Sequence, residues 1–63
     1  MAMPWTESRY PPAMRGLLPR VRTKAIRIAN ALLEEGVPEG RAIRIAIAKA
    51  RQWAVSHGRG PFH

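Results

Sequence analysis

A chain of 63 residues has room for one small domain, and eleven Lys and Arg against four Glu leave it at +7, with a pI near 11.7. The absence of cysteine excludes disulfides, and two histidines with a few scattered Glu argue against a structural zinc site. So short a chain buries only about 60% of its unfolded surface, so the expected support is close helix packing, self-association as a homodimer, or both.

Residues 1–18 are expected to form an ordered arm. Pro4, Pro11, Pro12 and Pro19 forbid a long helix before residue 19. Met3, Trp5, Tyr10, Met14, Leu17 and Leu18 are interleaved with them, too many large apolar groups for an idle leader. The arm should lie over the helices with Trp5 and Tyr10 as anchors. There is no apolar stretch of the secretory type at the start and no run long enough to span a membrane. A cytoplasmic protein is the expectation.

The periodicity predicts a first helix over about 19–35. Val21, Ala25, Ile28, Ala29 and Leu32 fall on one face, widened by Ile26 and Leu33, with Thr23, Arg27, Asn30 and Glu34 opposite. Pro19 suits the first turn, where its missing N–H is not needed. Gly36 should supply the left-handed residue that ends the helix, with Val37 making the apolar contact of a Schellman stop.

A second helix is expected over about 38–56, opened by Pro38 and Glu39. Its apolar face is Ala42, Ile43, Ala46, Ile47, Ala50, Trp53 and Ala54, with Trp53 capping the far end of the seam. Residues 58–63 read as a flexible tail. The segment Ala25–Ala31 recurs as Ala42–Ala48 with one difference, Asn30 against Ile47, consistent with two similar helices packing antiparallel. The fold class is therefore all-α: a helical hairpin behind an arm, forming one domain over 1–57.

Catalysis finds little to work with. Ser56 and His57 are sequence neighbours and point about 100° apart on a helix, and Glu34 and Glu35 stand side by side at a helix end. The expectation is a non-enzymatic protein with no cofactor and no metal.

Charge is the strongest functional feature. Residues 40–63 carry five cations and no acid, whereas a solvated helix normally mixes both signs. On the second helix Arg41, Arg44 and Arg51 fall within roughly 80° of one another. These three are the expected contacts to nucleic-acid phosphates, supported by Lys49, Arg22 and Arg27. Arginine's planar, weakly hydrated head suits that partner. The plain alternative is a solvated face. A helix-turn-helix would also place Arg41 and Arg44 near the start of a recognition helix, but both helices are long and the usual third helix is missing.

One resemblance extends over residues 3–54. Met3-Pro4-Trp5, Tyr10-Pro11, Leu18-Pro19, Val21-Arg22, Lys24-Ala25-Ile26, Ile28 to Gly36, Glu39 to Ile43, Ile45-Ala46-Ile47 and Trp53-Ala54 resemble a family of short uncharacterised bacterial proteins. The chain is more distantly similar to ChaB, a small helical protein described as a cation transport regulator, through its proline-aromatic start and helical layout. The resemblance implies an interaction module, since the segment also occurs at the start of longer proteins, and it brings no catalytic residues. Arg27, Arg44 and Arg51 depart from a more acidic family pattern. The rival expectation is thus a protein-interaction or regulatory module with a protein partner and no nucleic-acid role.

Overall fold

The structure, a computed structural model, describes residues 4–57. The tail expected at 58–63 lies outside that range. Helix α1 spans Pro19–Glu34 and helix α2 spans Glu39–His57, and the two pack against each other as a hairpin. A short 3-10 turn at Pro12–Met14 precedes them. Among the described residues there is no strand beyond an isolated pairing of Thr6 with Arg9. The all-α helical hairpin expected from periodicity is the fold.

The joint between the helices follows from one glycine. Gly36 has φ of 93°, in the left-handed region that only glycine enters cheaply. That reversal lets the Val37 N–H reach the Leu32 carbonyl at 3.0 Å and the Gly36 N–H reach that of Leu33 at 3.0 Å. These are the two bonds of a Schellman stop, and they satisfy carbonyls the helix would otherwise orphan. The Ala42 N–H then bonds the Pro38 carbonyl at 2.8 Å, starting α2 at once.

Small residues line the seam. Ala25 and Ala29 of α1 and Ala42, Ala46 and Ala50 of α2 are all fully buried. Their i, i+4 spacing puts each set on one ridge, and the absence of bulk lets the backbones approach closely. Alanine is also the best helix former, so these residues serve local and tertiary structure together. Larger groups close the sides of the core: Val21 and Ile26 are buried, and Ile28, Ile43 and Ile47 pack partly buried against the cluster.

The arm completes the core. Met14 is the largest fully buried side chain and Leu17 is buried beside it. Turns from Pro11 to Met14, Pro12 to Arg15 and Met14 to Leu17, each closed by a backbone hydrogen bond of 2.9–3.1 Å, aim both inward. Trp5 and Tyr10 pack partly buried on the same cluster. Leu18, expected among the arm's apolar contacts, is 70% exposed.

One expectation needs correction. Asn30 does not share the outer face with Arg27 and Glu34; it is buried. Its Oδ1 accepts from the Trp5 N–H at 3.3 Å and its Nδ2 donates to the Trp5 carbonyl at 3.0 Å. The reason is that α1 has two neighbours, α2 on one side and the arm on the other, so its buried arc is wider than a two-helix stripe. Trp53 is half-buried toward the open end of the hairpin, where Arg20 and Lys24 of α1 meet its ring.

Candidate nucleic-acid interface

At 100° per residue, Arg41, Arg44 and Arg51 fall on the side of α2 opposite its buried alanines, and all three are exposed. Arg44 folds back along the helix, its Nη1 lying 3.9 Å from the position a Cβ would take on Gly40. Glu39 in the first turn is the one acid of α2, and none follows it along the row. The cations occupy about ten residues, or about 15 Å of helix.

The three supporting cations are dispersed. Lys49 is exposed on the flank of α2 nearest α1, well round the helix from Arg44. Arg27 is exposed on α1, on the same flank as Arg20 and Lys24 at i, i+4 and i+7 spacing.

Arg22 of α1 is engaged by the arm. It is half-buried, and its guanidinium lies 4.7 Å from the centre of the Tyr10 ring. Nη1 donates to the Tyr10 hydroxyl at 2.8 Å and Nη2 to the Leu17 carbonyl at 3.1 Å, while Nε is buried without a protein partner. A cation near residue 22 was legible from composition; that it would face inward required the arm's path.

Three of the four acidic residues cluster at one end. Glu34, Glu35 and Glu39 are exposed around the hairpin turn, while Arg20, Lys24, Lys49 and Arg51 stand toward its open end. Glu7 is exposed on the arm and Arg41 and Arg44 lie nearer the turn, so the separation is partial, and the acids of the turn repel a polyanion least at the open end.

A feature that periodicity alone did not isolate lies there. Trp53 receives two cations from α1, Arg20 at 5.3 Å and Lys24 at 5.4 Å from the ring centre. Trp53 lines an open cleft together with the apolar Ile28 and Val55 and the polar Lys24, Lys49, Arg51 and Gln52. The signal in the sequence was the pair Arg20 and Lys24, one turn apart, set against a tryptophan on the antiparallel partner.

Among the described residues no group of three or more His, Asp or Glu is placed to hold a metal ion. No described helix is long and apolar enough to cross a membrane.

No family model and no solved structure matches the chain. The chain is 54% identical over 52 residues to the uncharacterised protein YdaT of Bacillus subtilis (strain 168), a match covering 82% of the chain and 35% of that protein. The chain thus spans about a third of the length of the curated relative it matches, and it is similar to one segment of an uncharacterised bacterial protein.

Proposed function

We propose that this protein is a small, non-enzymatic, cytoplasmic binding module that contacts nucleic-acid phosphates through the outer face of α2. The supporting observation is the exposed row Arg41, Arg44 and Arg51 on a helix with no acid after Glu39. Arginine forks pair with phosphate oxygens in two parallel bonds. Such contacts fix position along a strand or duplex and carry no sequence information. Lys49 and Arg27 add to the field from the flanks, whereas Arg22 contributes charge only. A second copy, in keeping with so small a core, would double the basic surface.

Titration into labelled duplex DNA and single-stranded RNA at several salt concentrations tests this reading. Phosphate contacts make log affinity fall linearly with log salt. Binding that ignores salt, or is absent at physiological salt, contradicts it.

A second reading draws on the relative: 52 residues resembling this chain make up only 35% of YdaT, as a module within a longer protein would. Here the chain engages a protein partner, in the regulatory manner expected from the ChaB resemblance, and the charge is incidental. Salt-tolerant capture of one protein, unaffected by loss of the α2 arginines, favours it.

A further inference from the structure

The row on the outer face of α2 offers charge and nothing a base could lie against. The cleft at the open end offers both. Trp53 is the largest side chain of α2, in a protein whose core is small, yet part of it remains exposed and lines the cleft. Its ring already attracts Arg20 and Lys24. Lys49 and Arg51 border the same cleft, and no acid lines it.

We infer that this cleft binds an unpaired nucleic-acid strand, with a base stacked against the Trp53 indole and its flanking phosphates held by Lys24, Lys49 and Arg51. The inference rests on the phosphate-binding reading above and specifies which form of nucleic acid the protein prefers. A base inside a duplex has both faces covered by its neighbours, so an aromatic platform rewards only unstacked strands. Single-strand sites combine a cationic groove with an aromatic face, and they tolerate any sequence because every base has a π-face. Gln52 in the cleft lining offers an amide to a base edge. Charge complementarity decides the occupant: a lining of cations around an indole, without a carboxylate, matches a polyanion that carries flat rings.

The test compares a ten-nucleotide thymidine strand with an abasic strand of equal phosphate count, followed by tryptophan fluorescence. The thymidine strand should bind roughly fivefold or more tightly than the abasic one and should quench the emission. In Trp53→Phe, which keeps an aromatic ring and leaves Trp5 as the only indole, the quench should disappear. In Trp53→Leu the two strands should bind alike. Should Trp53→Leu lose its helical signal, the Trp53→Phe comparison decides. Equal affinity for the two strands in the wild type, or a quench that persists in Trp53→Phe, overturns the inference. If the abasic strand still binds with a steep salt dependence, the phosphate reading stands without it. If neither strand nor duplex binds, both fall.

Discussion

The side-chain amide of Asn30 holds the backbone of Trp5 at both of its polar groups, accepting from the N–H at 3.3 Å and donating to the carbonyl at 3.0 Å. Twenty-five residues separate the two. Trp5 lies in a stretch whose own backbone pairing is limited to the Thr6–Arg9 turn, so a buried amide supplies what a neighbouring strand would otherwise provide. The arm is docked by polar fixation as well as by apolar contact. This also explains the single difference in the internal echo: Asn30 faces the arm, while its counterpart Ile47 packs against the core cluster.

Replacing Asn30 by Ala leaves the Trp5 amide and carbonyl without their partner. The expected loss is about 1–3 kcal/mol, read as a lower denaturant midpoint. In thermal melting each kcal/mol corresponds to a fall of about 4–8 °C for a domain near this size. A change within error would show that the arm is held by apolar packing alone.

Met14 and Leu18 are four residues apart and opposite in burial, 0% against 70% exposed. Met14→Ala should lose about 2–5 kcal/mol, much of the stability a core of this size supplies. Leu18→Ala should stay within about 0.5 kcal/mol. Equal effects in urea unfolding would contradict the packing described.

Arg22 should behave unlike the arginines of α2. Arg22→Gln removes the bonds to the Tyr10 hydroxyl and the Leu17 carbonyl, so its main effect should be on unfolding, at about 1–3 kcal/mol. Tyr10→Phe should show a smaller part of the same loss. The salt slope of nucleic-acid binding should move far less in Arg22→Gln than in Arg44→Gln.

Gly36 has open space where a Cβ would go, but its φ is 93°. Gly36→Ala should therefore lower stability by about 1–2 kcal/mol through backbone conformation, without a clash. An unchanged melting temperature would mean that the helix stop does not require the left-handed residue.

Local signals made the hairpin legible. Pro19 and Pro38 mark the starts, Gly36 the stop, and alanines at i, i+4 the seam, each acting within a turn or two of itself. Part of what was not legible depended on the arm. Asn30 and Arg22 look like surface residues on a two-helix wheel, and only a third layer over α1 turns them inward. The basic row of α2 was readable because, among the described residues, its three arginines stay exposed. The Trp53 cleft was not, because it needs Arg20 and Lys24 brought from α1 by the antiparallel fold.

The most direct test of the central claim is the salt slope of nucleic-acid binding for the wild type and for Arg41→Gln, Arg44→Gln and Arg51→Gln combined, with the helical signal followed in parallel. Each lost phosphate contact should lower the slope by about 0.9 on a duplex, so the triple variant should be shallower by about 2 to 3 units and remain folded. A folded variant with the wild-type slope would contradict a phosphate-binding role for the outer face of α2.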